Sequence, residues 1–182
     1  MVDLTTLSSF KAYAGVVIST DDVAISNLIT AYSEFTRSYC SRTFTPQAFS
    51  ARFDGRNNTR QMLPEFPILT ITAVAVGTTT IAAQSTFGAN GYRFDETTVM
   101  LDGYRFTKGE GNVLIAWTAG FATIPPDLAQ AVNELVGLRY TLRDKQGWSS
   151  KSLAGETVSL ITKDMPASAK TVLDYYSRVV PG

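Results

Sequence analysis

The feature that most constrains this chain is a change in the spacing of its apolar residues. Ile25, Leu28, Ile29, Tyr32, Phe35 and Tyr39 recur at three- and four-residue steps, which places one apolar stripe along about five turns of α-helix. Ser19-Thr20-Asp21-Asp22 stands before it and offers a cap followed by carboxylates in the first turn, where the helix dipole favours them. Phe44-Thr45-Pro46 then breaks the helix, and residues 47–121 read as β structure. Helical spacing returns at Pro125-Pro126-Asp127, because proline suits a first turn whose N–H has no partner anyway. Helices, then strands, then helices, with no repeat and no low-complexity linker, make an α+β chain.

The remaining elements follow from local signals. A first helix begins near Thr5 or Thr6, sets Leu7, Phe10 and Ala14 on one face, and stops at Gly15. In the β region, Ala48–Phe53 reads as a strand ending at an Asp54-Gly55 turn, and Pro64 and Pro67 frame the start of Ile68–Val76. Apolar parity in that stretch changes between Ile71 and Val74, which predicts a bulge. Val99–Leu101 leads to a turn at Asp102-Gly103, and Gly109-Glu110-Gly111-Asn112 reads as another turn before Val113–Thr118. Four to six short antiparallel strands fit this spacing. The long helix buries Leu128, Ala131, Val132, Leu135, Leu138 and Leu142. Residues 146–155 form a polar loop, 156–161 a short strand or arm, and Pro166 opens a last helix with Val172, Leu173 and Tyr176, ending near Pro181.

Composition limits the chemistry. The 182 residues include 16 basic and 16 acidic ones, whereas a chain bound broadly to nucleic acid carries a basic excess. There is one cysteine, Cys40, so no intramolecular disulfide forms. MVDLTTLSSF has neither a basic n-region nor a continuous apolar run, so no signal peptide is expected. No apolar run approaches the ~20 residues of a membrane helix. Synthesis in a reducing cytoplasm is the expectation, and the sequon at Asn57-Asn58-Thr59 is then without meaning.

With no histidine in the chain, Ser-His-Asp, Cys-His and HExxH arrangements are all excluded, as is the usual acid–base residue of neutral pH. One thiolate and scattered carboxylates make a poor zinc site, and no cofactor is expected. Ser8-Ser9-Phe10-Lys11 matches S-x-x-K but lacks the SDN and KTG elements that support it. Gly109-Glu110-Gly111 lacks the third glycine of a dinucleotide loop and precedes a strand rather than a helix. Asp21 with Asp22, and Asp95 with Glu96, are sequence neighbours whose side chains diverge. Cys40 ends an apolar stripe and reads as a packed thiol. The chain therefore reads as a non-enzyme that works through contact surfaces.

Two features remain for such surfaces. Arg37, Arg42, Arg52, Arg56 and Arg60 fall in a short span relieved chiefly by Asp54. They form either a solvated face or an interface or lumen whose guanidinium forks meet carboxylates or phosphates. Trp148 sits in a Gly/Ser loop beside Arg143 and Lys145, where it either folds back onto the core or anchors a partner. Tyr175, Tyr176 and Arg178 add contact-type residues to the final helix.

Several segments, in this order, resemble the head–tail connector (adaptor, or head-completion) proteins of long-tailed bacteriophages and gene-transfer particles. They are Ser19-Thr20-Asp21-Asp22 with Leu28-Ile29 and Tyr39-Cys40-Ser41-Arg42-Thr43-Phe44; Pro67-Ile68 with Ile71-Thr72-Ala73-Val74; and Trp117-Thr118-Ala119-Gly120-Phe121 followed by Pro125-Pro126-Asp127-Leu128, Ala131 and Glu134-Leu135-Val136. Arg143, Gly147 and Leu153-Ala154-Gly155-Glu156 resemble the family's C-terminal continuation. Trp117 departs from the tyrosine more often found there, and the β region is longer than in the smallest members.

The resemblance implies a helical bundle with an inserted antiparallel β region, organised as one connector domain over 1–182. Its parts are N-terminal helices (1–45), β insert (46–121), long helix (122–145) and C-terminal loop, strand and helix (146–182). It also implies a structural subunit at the head–tail junction of a virion, made in a bacterial host. Such subunits, usually twelve per ring and monomeric when free, dock beneath the portal protein, extend the DNA channel and carry the stopper or tail. DNA would be met only as passing genome, and no membrane is involved. The C-terminal arm that grips the portal in this family falls on about residues 147–182. The residues themselves, apart from the resemblance, offer Arg143, Lys145, Trp148, Tyr175, Tyr176 and Arg178 as contact residues, with Arg42, Arg52, Arg56 and Arg60 as lumen or interface arginines. A stopper or tail-completion subunit, and a nucleic-acid-binding module built on the arginines, are the alternatives.

Overall fold

The computed structural model describes residues 2–143, 150–153, 156–159 and 165–177. The chain forms two compact units: a helical one from residues 1–42 and 124–182, and a β unit from residues 43–123.

The helical unit contains α1 (Leu7–Ala14), α2 (Asp22–Cys40), α3 (Pro126–Leu142) and α4 (Ala167–Tyr176), with a two-stranded ladder of β8 (Ser150–Leu153) and β9 (Glu156–Ser159). α1 starts as its sequence predicts: Thr6 Oγ1 accepts the Ser9 N–H at 3.1 Å, and Gly15 closes it in the left-handed region at φ 67°. α2 differs. Asp21 makes no side-chain cap bond. Its carboxylate instead accepts the Tyr140 hydroxyl (2.7 Å) and an Arg143 N–H (3.1 Å), joining the start of α2 to the end of α3.

The buried face of α2 is also rotated from the expected stripe. Ile25, Ile29, Ser33, Thr36 and Cys40 are buried, while Tyr32 and Tyr39 are half-buried and Phe35 is exposed. Small Ser33 and Thr36 let neighbouring chain approach closely, and Ser33 Oγ accepts the Leu4 N–H at 2.9 Å. The aromatics line up beside that face, with Tyr32–Phe35 and Phe35–Tyr39 centroids each 6.0 Å apart. α3 buries Leu128, Ala131, Val132, Leu135 and Val136 as read from its spacing, while Leu138 and Leu142 are only half-buried. It also buries Asn133, whose Oδ1 accepts the Thr5 hydroxyl at 2.9 Å.

The β unit holds seven strands rather than the expected four to six, in two antiparallel sheets. β1 (Gln47–Gly55), β7 (Gly109–Ala119), β3 (Ile68–Val76) and β4 (Thr79–Ile81) form one in that spatial order; β2 (Arg60–Met62), β6 (Thr98–Asp102) and β5 (Gly91–Phe94) form the other. Val113, Ile115, Trp117 and Ala119 alternate along β7 into a core completed by Val99 and Leu101 of β6 and by Phe106. The predicted bulge lies between Ile71 and Ala73, and it lets both Ile71 and Val74 face this core. Trp117 Nε1 donates to the Glu65 carbonyl at 3.2 Å, and its ring stacks on Phe49 at 5.6 Å.

Gly55 and Gly109–Asn112, expected as turns, lie in or at the ends of paired strands, with a register shift between Phe53 and Gly55. Here Asn112 bridges the ladder: its Oδ1 accepts the Gly55 N–H (2.9 Å) and its Nδ2 donates to the Thr107 carbonyl (2.8 Å). The chain is thus mixed α+β, but its sheets are too large a share to be an insert in a bundle. Short strands such as β2, β4 and β5 carry little periodic signal on their own.

Candidate partner interface

The five clustered arginines do not act together. Arg37 pairs with Glu34 and donates to the Val2 carbonyl. Arg42 is 8% exposed and donates to the Tyr176 carbonyl at 3.4 Å, so it holds the end of α4 from inside the helical unit. Arg52, Arg56 and Arg60 converge in the β unit, where they line one groove of about 530 Å³ with Phe53, Asn58 and Met62.

The chain path explains the convergence. β1 ends at Gly55, Asn57 takes a left-handed φ of 58°, and the chain turns into β2 at Arg60. Asp54, the one carboxylate lining the groove among the described residues, already accepts the Gly111 N–H at 2.7 Å. Arg52 donates to the Gly111 carbonyl at 3.2 Å. All three guanidinium groups are exposed, and none makes an ion pair among the described residues. Asp95 nearby is held below the usual carboxylate range chiefly by the Thr97 and Thr98 N–H groups, with a smaller contribution from Arg60. Asn58 Oδ1 is enclosed without a hydrogen-bond partner among the described residues, an orphan that costs free energy where it stands.

The residues predicted at the C-terminal side have mixed fates. Lys145, Trp148 and Arg178, with Gly147, lie outside the described residues. Arg143 stacks its guanidinium 4.0 Å above the Tyr140 ring and pairs with Asp21. The Tyr140 hydroxyl is less acidic than usual, mainly because Asp21 accepts its proton in a hydrogen bond. Tyr176 donates to Asp127 at 3.0 Å, and burial followed by that carboxylate pushes its pKa up to about 12. Tyr175 is the outward residue, 82% exposed.

α4 is bound to its unit through polar contacts that the apolar pattern did not reveal. Tyr39 donates to Asp174 at 2.5 Å, and Lys170 donates to the other carboxylate oxygen at 2.5 Å. Lys170 first, then Tyr39, keeps the Asp174 carboxyl below its usual range. The Cys40 thiol, pushed up to about 11 chiefly by burial, donates to the Leu173 carbonyl at 3.4 Å.

Lys11 of the S-x-x-K match is taken by Asp22 (2.7 Å) and by the Ile18 carbonyl (2.8 Å). A second cavity in the β unit, about 870 Å³, is lined by Thr59, Val76, Leu101, Asp102 and Tyr104 among others, and Asp102 there is engaged by Arg93 and Gln84. Among the described residues no cluster of His, Cys, Asp and Glu could hold a metal, and no helix is long and apolar enough to cross a membrane.

The fold is shared with solved structures of gene transfer agent (GTA) particles. A chain from the neck of the empty particle, computed with C6 symmetry, is 23% identical with a TM-score of 0.58, covering 98% of this chain and 91% of that one. A chain from the neck of the native particle, computed with C12 symmetry, is 22% identical with a TM-score of 0.57 over 96% of this chain and 89% of that one. A chain from the virion of the native particle is 20% identical, TM-score 0.57, covering 98% and 91%. No curated protein matches the sequence. The sequence does match the head completion protein family over residues 3–179, which is nearly its whole length. The chain is therefore a member of the head completion protein family.

Proposed function

We propose that this chain is a structural head–tail connector subunit. It docks as a ring of twelve beneath the portal after packaging, extends the channel through which the genome passes, and gives the stopper or tail its platform. The observation that carries this reading is the family match over residues 3–179, supported by likeness to neck chains of which one was computed with C12 symmetry. Residues 1–182 act as one connector subunit, made in the bacterial host and working without catalysis. The portal is gripped by residues from about 147 to the C-terminus, for which α4 supplies a mount that is tied to α2 and α3 and presents Tyr175 outward.

The test is co-sedimentation with the cognate portal ring, together with particle assembly in a host lacking this gene. Binding to the portal, and filled heads that fail to join tails, are expected. No binding, with normal tail joining, would remove the reading. Electron microscopy that located the chain in the virion away from the portal would turn it into a stopper or tail-completion subunit.

A further inference from the structure

Two sheet edges border the arginine groove. β1 is the outer strand of one sheet and β2 the outer strand of the other, and the end of β1 and all three residues of β2 line the cavity. The β2–β6 ladder determines which backbone groups remain open. Leu101 N–H donates to the Thr59 carbonyl and Leu63 N–H to the Thr97 carbonyl, both at 2.9 Å, with Gln61 opposite Val99. Residues 59, 61 and 63 therefore turn their polar groups toward β6. Antiparallel alternation turns those of Arg60 and Met62 the other way. On that side the Asn58 carbonyl is taken by the Phe106 N–H at 2.8 Å and the Met62 carbonyl by the Gln61 side-chain amide at 3.0 Å, which leaves the Arg60 N–H and carbonyl and the Met62 N–H. The Met62 side chain is itself 70% exposed.

Open strand groups, an exposed methionine and three guanidinium groups without ion pairs need a ligand with three properties. It must carry anions, offer donors and acceptors at strand spacing, and bring some apolar surface. Nucleic acid supplies the anions but cannot extend a β ladder. An extended polypeptide bearing carboxylates supplies all three, by the strand-addition mode of recognition. We propose that this groove captures an extended acidic segment of another protein chain, which pairs with the open edge of β2 and gives its carboxylates to Arg52, Arg56 and Arg60. A three-residue edge offers few backbone bonds, so charge carries much of the affinity and salt weakens it. Capture at β2 and portal binding through the C-terminal residues draw on different residues, so loss of either leaves the other measurable.

The experiment uses the full chain and a dye-labelled octapeptide of alternating glutamate and valine, read by fluorescence anisotropy. Saturable, salt-sensitive binding is expected. It should weaken roughly tenfold or more in the variant R56A/R60A, and by a similar factor in Met62→Pro, which deletes an outward N–H and spares those facing β6. A peptide N-methylated at alternate residues should bind as poorly, and it asks the same question of the unaltered protein should M62P fail to fold. The proposal is overturned by the absence of saturable binding. It is equally overturned if the N-methylated peptide binds as well as the parent, or if a single-stranded oligonucleotide of equal charge binds more tightly.

Discussion

Arg42 and Arg56 carry the same guanidinium into opposite settings: one is enclosed and holds a helix end, the other stands in an open groove. Nothing in the sequence spacing separates them, because burial depends on which elements close over a residue. Gly55 shows the same limit. A Cβ there would lie 1.8 Å from the Thr107 carbonyl oxygen, so Gly55→Ala must displace backbone and is expected to cost about 2–3 kcal/mol, read as a lower urea midpoint at unchanged slope. Cys40, by contrast, was legible as a packed thiol. Its raised pKa means its contribution to stability is present below the unfolded value near 9.0 and lost as pH rises through about 11. Native protein at pH 8 should therefore react with a thiol reagent far more slowly than protein in denaturant; equal rates would contradict the burial.

At the scale of elements, helices declared themselves and strands did so in part. Stripes and stop signals marked α1, α2 and α3, whereas β2, β4 and β5 arise because β6 and β3 offer them partners. α4 was read from Pro166 and Leu173, but its attachment through Tyr39, Lys170 and Asp174 joins residues far apart in sequence. The carboxyl of Asp174 is depressed, so its contribution is present above the ordinary value of 3.8 and lost as pH falls through the lower folded value. The ammonium of Lys170 is raised, chiefly by Asp174, so its part is present below 10.5 and lost as pH rises through the higher folded value. Hydrogen-exchange protection of α4 should hold through neutral pH and decline on acidification below the carboxylate range, and Asp174→Asn should blunt that decline. Leu173→Ala, at a fully buried site, is expected to cost about 3 kcal/mol.

For the whole molecule, two units with separate cores predict two calorimetric transitions. Gly55→Ala should lower the one belonging to the β unit, and Leu173→Ala the other. A single transition moved equally by both substitutions would show that the units unfold as one. The connector reading belongs to this scale too, since no individual side chain carries it. It rests on the order of elements along the chain, on the family match and on the shared fold.

By itself the sequence determined the change from helical to strand periodicity, the main caps and stops, the bulge before Val74 and the lack of histidine-based chemistry. These are local properties, set within a few residues by backbone sterics and side-chain spacing. The tertiary structure alone decided that α2 turns Ser33 and Thr36 inward and leaves Phe35 exposed, that Asp21 ties two helices together instead of capping one, and that three of five neighbouring arginines share a groove beside the outer strands of two sheets. Each of those outcomes depends on which distant segment packs alongside, and that choice is made by the fold's total burial and pairing, not by any window of sequence.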